Sequence, residues 1–244
     1  AVLAEALAEY NQELIGGVIF RAFHDPYAWE DVMDGSIRTC KALAAHGATR
    51  LVIIDSISPR RAPTAGRADE AEQMDKAEWT AYRDRIAQIA KMGTEDYGLT
   101  VGIHAHAAGF MDFEPELERL LDEVDERILG ICFDTGHHSY AGFDPVAFIK
   151  KHMSRINYMH FKDIDPKVKA DVIAKRTGFY DACGQGIFCN LGDGDVDFPA
   201  VRQLLLDVAF DGWCTVEQDC DPTGDTSPID DARLNRAYLQ SIGF

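Results

Sequence analysis

The feature that most constrains this chain is a repeated ending. Four apolar runs, each the length of one strand, finish in side chains that ionise or bind metals. They are His104-Ala-His106, Asp134-Thr-Gly-His137, His160-Phe-Lys162-Asp163 and Glu217-Gln-Asp219. His104 to Asp134 is 30 residues and Asp134 to His160 is 26, each about one strand-plus-helix repeat; His160 to Glu217 is 57, one repeat plus a long loop. Parallel barrel strands share one rim at their C-terminal ends, so endings at this spacing converge on a point. A lone strand-end Asp is more often a helix cap and a lone strand-end His more often a satisfied rim residue. Recurrence on successive strands favours a metal site. Histidine with carboxylate suits Mn²⁺, Co²⁺, Fe²⁺ or Zn²⁺, and the lack of thiolates argues against a structural zinc.

The strand candidates are 13–20, 50–56, 99–106, 130–137, 156–163 and 213–219, mostly continuous apolar runs as expected for parallel strands covered on both faces. Between them the punctuation predicts helices: one from Tyr27 to His46 stopping at Gly47, one opening with the capping pair Asp75 and Glu78, and two opening at Asp144-Pro145 and Asp197-Phe-Pro199. Repeated β-α order gives an α/β class with a parallel sheet, read as one domain over residues 1–244. Residues 57–74 are polar and contain Pro and Gly, which predicts a mobile loop; residues 164–195 form a second long excursion after a strand end.

Charge narrows the partners. With 24 basic and 41 acidic residues the net charge is −17, which disfavours nucleic acid and fits a neutral substrate or a cation held by carboxylates. The six cysteines (40, 132, 183, 189, 214, 220) form no C-x-x-C pair, and several sit in apolar runs, so a reduced, cytoplasmic protein is expected. No apolar stretch reaches the roughly 18–20 residues that span a bilayer, so no membrane partner is expected. The opening AVLAEALAEY lacks a signal-peptide pattern and reads as the middle of an amphipathic helix, as though the chain begins inside a fold.

Other motifs fail on inspection. DGDVD at 193–197 starts like a calcium loop, but Phe198 and Leu204 stand where Gly and Glu are needed. GQGIFC at 184–189 is no dinucleotide fingerprint, and the neighbouring glycines read as turn formers. His138 points away from the rim, one position past His137. His24, His46 and His152 read as surface residues, with His24 able to reach the rim.

The endings resemble those of the xylose-isomerase-like TIM-barrel superfamily. FDTGHHSYAGFDP, INYMHFKDID, GIF with LGDGDVDF, and DGWCTVEQD are similar to its inosose dehydratase (2-keto-myo-inositol dehydratase) branch, and the resemblance covers nearly the whole chain. It implies a (β/α)8-type barrel, here expected to lack the first two βα units, since the sequence offers six strands. By position it implies metal ligands at His104, Asp134, His160 and Glu217, with His104 standing where many relatives carry glutamate. It places His106 and His137 toward substrate, with Lys162 and Asp163 beside them. The branch usually reads H-P-H-x-G-T, whereas this chain reads HAHAAG at 104–109. The implied activity is loss of water from a keto-cyclitol such as 2-keto-myo-inositol, in inositol catabolism, with Mn²⁺ or Co²⁺ ahead of Mg²⁺, Fe²⁺ or Zn²⁺. His106 and Lys162 would do the acid–base work, with the lysine pKa lowered by the cation, and His137 and Asp163 would contact substrate. A ketose epimerase or isomerase is the alternative, a non-catalytic metal- or polyol-binding remnant a second. A homo-oligomer is expected, because an open parallel edge invites association.

Overall fold

A computed structural model describes residues 2–219 and 227–244. In chain order the elements are α1 (Val2–Glu9), β1 (Gly16–Arg21), α2 (Trp29–Ala45), β2 (Arg50–Asp55), α3 (Lys76–Tyr97), β3 (Thr100–His104), α4 (Glu114–Glu123), β4 (Gly130–Asp134) and α5 (Thr135–Tyr140). There follow α6 (Pro145–His152), β5 (Ile156–Phe161), β6 (Asp163–Ile164), α7 (Pro166–Ala174), α8 (Phe179–Gly184), β7 (Phe188–Cys189), α9 (Phe198–Asp207), β8 (Trp213–Val216) and α10 (Pro228–Ser241). The six strand runs of the sequence become one sheet in the order β1-β2-β3-β4-β5-β8, every pair parallel. Among the described residues β1 pairs only with β2, and β8 only with β5. The fold is therefore of the TIM-barrel type, with six strands in sequence.

Strand side chains alternate between two faces. One set, including Leu51, Ile53, Val101, Ile103, Ile131, Phe133, Met159 and Phe161, packs beneath the helices in the main core. The other set turns inward: Val52 and Ile54 from β2 meet Cys132 from β4 and Tyr158 from β5. Two residues further along the same face stand Asp134 and His160, so the alternation that buries the strand body also delivers the ionisable endings inward. The helices close the outer layer as their caps predict. Asp75 and Glu78 form a reciprocal capping box at the start of α3, whose Trp79, Tyr82, Ile86 and Ile89 are buried. Asp144 and Asp197 cap α6 and α9 through their side chains. Each such cap contributes about 1 kcal/mol, and each buried Ile or Phe about 1.5–3 kcal/mol.

Two loop expectations change. Residues 57–74 are packed: Ser58, Arg61, Ala65 and Ala71 are buried, and the segment includes two short 3₁₀ turns. The reason is Arg61, whose guanidinium donates to Glu116 at 2.8 Å and lies 5.0 Å from the Phe113 ring, a burial that the polar composition hides. The excursion at 164–195 is also ordered, as α7, α8 and the antiparallel pair β6–β7. Cys220 lies outside the described residues, and the other five cysteines are free. No helix among the described residues is long and apolar enough to cross a membrane.

Candidate active site

The inward faces of β3, β4, β5 and the exit of β8 build the site in two tiers. The deeper tier is His104, Asp134, His160 and Glu217, whose ligand atoms all lie within 4.8 Å of one another. Register explains the meeting: Asp134 stands opposite His160, and His160 opposite Thr215, two residues before Glu217. The outer tier repeats the pattern two residues on. His106, Lys162 and Asp219 follow His104, His160 and Glu217 at i+2, and His137 comes from the first turn of α5. His106, His137 and Asp219 form a second group of ligand atoms within the same 4.8 Å reach.

The deeper tier fits a metal ion. His104 is fully buried, and among the described residues neither of its ring nitrogens has a hydrogen-bond partner; Asp134 Oδ2, His160 Nδ1 and Glu217 Oε2 are likewise buried without an aligned partner there. His160 Nδ1 and Glu217 Oε2 approach to 2.5 Å without forming an aligned bond, as expected of donors aimed at a common point. His104 Nε2 is 3.5 Å from Asp134 Oδ2. Buried polar atoms left unpaired cost several kcal/mol together, and a shared cation removes that cost. Asp134 combines both readings of a strand-end acid: Oδ1 accepts from the His137 amide at 2.7 Å as the cap of α5, and Oδ2 faces the cluster.

The outer tier brings ionisable side chains into close contact. His106 Nδ1 lies 2.8 Å from the Ala107 carbonyl, which fixes the proton there and leaves a lone pair on Nε2. Burial, aided by nearby His104 and Lys162, pushes the ring down to about 3. His137 Nδ1 lies 3.2 Å from the Ala107 amide and Nε2 3.1 Å from Lys162 Nζ, so the neutral ring accepts from one of these two donors. Burial also holds the His137 ring well below its usual value. Lys162 is fully buried, 2.8 Å from Asp219 and 3.5 Å from Glu217. Burial favours its neutral form, but Asp134, Glu217 and Asp219 outweigh that and raise its pKa. The Phe188 ring backs the ammonium at 4.8 Å.

Asp163 departs from its expected place. Its side chain is buried and engaged by backbone amides, so the structure gives it no free oxygen to turn toward a ligand. His138 is buried against Phe133 and Phe148 and does not join the rim cluster. His24 reaches inward and lies 2.9 Å from the buried carboxylate of Asp55. Asp219 is the residue that sequence reasoning left out of the site, although its i+2 spacing from Glu217 carries the signal. Beside the two tiers lies a cavity of about 450 Å³ lined by Val18, Phe20, Ile54, Tyr158, Thr215 and the rim residues His106, His160, Glu217 and Asp219.

The family model described as "Xylose isomerase-like TIM barrel" matches residues 1–242. The chain belongs to this family. Among curated members it is 32% identical over 197 residues to the rhizopine catabolism protein MocC of Rhizobium meliloti, covering 79% of this chain and 58% of that protein. It is 29% identical over 184 residues to the inosose dehydratase of Geobacillus kaustophilus, covering 75% and 58%. To the inosose dehydratase of Salmonella agona it is 27% identical over 247 residues, covering 96% and 80%. The chain thus spans less than two thirds of the length of the first two relatives. Its fold matches that of a solved IolI protein with a bound zinc atom, with a TM-score of 0.71 at 13% identity, covering 98% of this chain and 84% of that one.

Proposed function

We propose that the chain acts as a divalent-metal-dependent hydro-lyase, an inosose dehydratase in kind, that removes water from a keto-cyclitol such as 2-keto-myo-inositol. The observation that carries this reading is the apposition of the two tiers, with four unpartnered metal donors directly beneath a neutral histidine and a buried ammonium. The curated inosose dehydratase relatives and the zinc-bound IolI neighbour support it.

His104, Asp134, His160 and Glu217 would hold the ion, with Mn²⁺ or Co²⁺ the best match to two imidazoles and two carboxylates. Bound there, a dication supplies Lewis-acid stabilisation for negative charge on a ketone oxygen. The chain's own residues handle the protons. His106 Nε2 offers a lone pair for the hydrogen α to the carbonyl. Lys162 Nζ offers a proton to the departing β-hydroxyl, which leaves as water. His137 Nε2, 3.1 Å from Nζ, stays within hydrogen-bond reach of the amine after transfer. The buried Phe188 ring, 4.8 Å from Nζ, shields Lys162 from bulk water.

Charge selects the substrate. Asp134, Glu217 and Asp219 together carry three negative charges, which Lys162 and a dication balance, and among the described residues no Arg or Lys lines the cavity. An uncharged polyol ketone suits that balance better than a sugar phosphate. The epimerase alternative requires proton return to carbon, for which two metal-bound glutamates are the usual means; His104 at the second position favours elimination. To test this, metal-loaded protein is incubated with 2-keto-myo-inositol and, separately, with ketohexoses. The expected result is a dehydrated diketone from the cyclitol alone. An epimerised ketohexose, or no turnover of any substrate, would reject it.

A further inference from the structure

The glycine-rich return at 191–198 takes no part in the proposed chemistry, yet its shape is specific. Asp163, directly after Lys162, has a fully buried carboxylate with both oxygens occupied. Oδ1 accepts from the amides of Ile164 at 2.9 Å and Val196 at 3.1 Å, and Oδ2 from those of Gly192 at 2.8 Å and Gly194 at 3.1 Å. Three of the four donors lie 29–33 residues downstream. The glycines are required by the same geometry. Gly192 has φ +89°, and a Cβ there would stand 2.3 Å from the Tyr238 ring; a Cβ on Gly194 would stand 2.2 Å from Asp163 Oδ1. The loop is wrapped around the carboxylate.

What the wrapping holds is an aromatic wall. Asp163 pairs with Cys189, and Ile164 with Phe188, across β6–β7. Phe188 then lies 4.8 Å from Lys162 Nζ and 5.0 Å from the His137 ring. We propose that Asp163 is a positioning residue: captured by four amides, it fixes the 186–197 segment so that Phe188 backs Lys162 and His137. A substrate contact would need a free carboxylate oxygen, and both are taken. Removing the charge leaves three distant amides without their acceptor, and the wall loses its tether to the strand that carries the lysine.

The kinetic arm of the test rests on the dehydratase reading; the other two arms do not. Asp163→Ala, with and without sodium formate against matched sodium chloride, is compared with Gly194→Ala, which pushes on the same contact from the loop side. Three readouts are taken: hydrogen exchange at the amides of 192, 194 and 196, acylation of Lys162 followed by mass spectrometry, and turnover of 2-keto-myo-inositol. In Asp163→Ala, amide exchange and Lys162 acylation should each rise about tenfold or more, and kcat should fall on the order of 10²-fold with KM little changed. Formate, a carboxylate that fits the vacated amides, should reverse part of each change; chloride should not. If Asp163→Ala does not fold, Gly194→Ala carries the same expectations without rescue. Loosened amides with wild-type Lys162 acylation would overturn the proposal and leave a purely structural clasp; so would unchanged amide protection. Wild-type protein that turns over no cyclitol would refute the dehydratase reading, while exchange and acylation would still decide the role of Asp163.

Discussion

Gly136 in the DTGH segment gives a prediction in which two physical effects have opposite signs. It sits in the first turn of α5, where Gly→Ala ordinarily stabilises a helix by about 1 kcal/mol. Here the added Cβ would stand 2.6 Å from Lys162 Cγ, 2.8 Å from Lys162 Cβ and 3.1 Å from its backbone carbonyl carbon. Ordinary contact begins near 3.4 Å, so the shortest gap is deficient by about 0.8 Å. The obstructing atoms belong to the root of the lysine and cannot swing aside cheaply. Overpacking of this kind costs about 1–3 kcal/mol, which outweighs the propensity gain. Gly136→Ala should therefore lower stability by up to about 2 kcal/mol net, a Tm drop of up to about 8 °C. A displacement approaching 1 Å at Nζ also breaks its contacts with Asp219 and His137, and kcat should fall on the order of 10²-fold. Divalent-ion affinity, set by the deeper tier, should change far less. Thermal unfolding, metal titration and single-substrate kinetics on one preparation measure all three. A variant more stable than wild type, with unchanged kcat, would refute the packing argument.

Ala108 has φ +69°, a left-handed conformation that L-residues other than Asn and Asp seldom adopt, and it occupies the glycine of the branch pattern H-P-H-x-G-T. Ala108→Gly should stabilise by about 0.5–1 kcal/mol with the His106 loop unchanged, as read by denaturant midpoint; a loss of stability would contradict the strain. Burial holds the His138 ring down from 6.5 to about 3, so the unfolded chain takes up this proton first as pH falls. Stability is full above about pH 6.5 and is lost by about 1.4 kcal/mol per pH unit toward pH 3, or about 2 kcal/mol at pH 5. His138→Phe should remove that slope from urea titrations at pH 7 and pH 5, and identical slopes would count against it. Glu116→Gln strips the charge partner from buried Arg61 and should cost about 3–5 kcal/mol, whereas a loss below about 1 kcal/mol would mean that the pair is solvated.

The site was legible where spacing and alternation act together. His104, Asp134, His160 and Glu217 recur once per βα repeat on inward positions, so the rim geometry follows from the strand pattern alone. Period two also carries His106, Lys162 and Asp219; Asp219 is the least legible of the three, because Glu217 on the same strand end already accounts for a ligand. Asp163 was illegible for a different reason. A carboxylate after a strand-end lysine looks like a site residue, and only the fold brings the glycines of 191–198 back onto it. Arg61 was hidden in the same way, since its partner Glu116 lies across a loop and a helix start. His138 differs from His137 by one helical step, and the start of α5 at Thr135 turns that step into burial against Phe133 and Phe148.

On the proposed reading, the four-donor tier holds a cation that the dehydration needs. The most direct measurement is the rate of water loss from 2-keto-myo-inositol as Mn²⁺ is titrated into chelator-stripped protein, with bound metal counted in parallel. Activity should appear with one ion per chain, and Glu217→Gln or His104→Ala should lose the ion and the activity together. Full activity in stripped protein, or tight Mn²⁺ binding that survives loss of both Glu217 and His104, would contradict it.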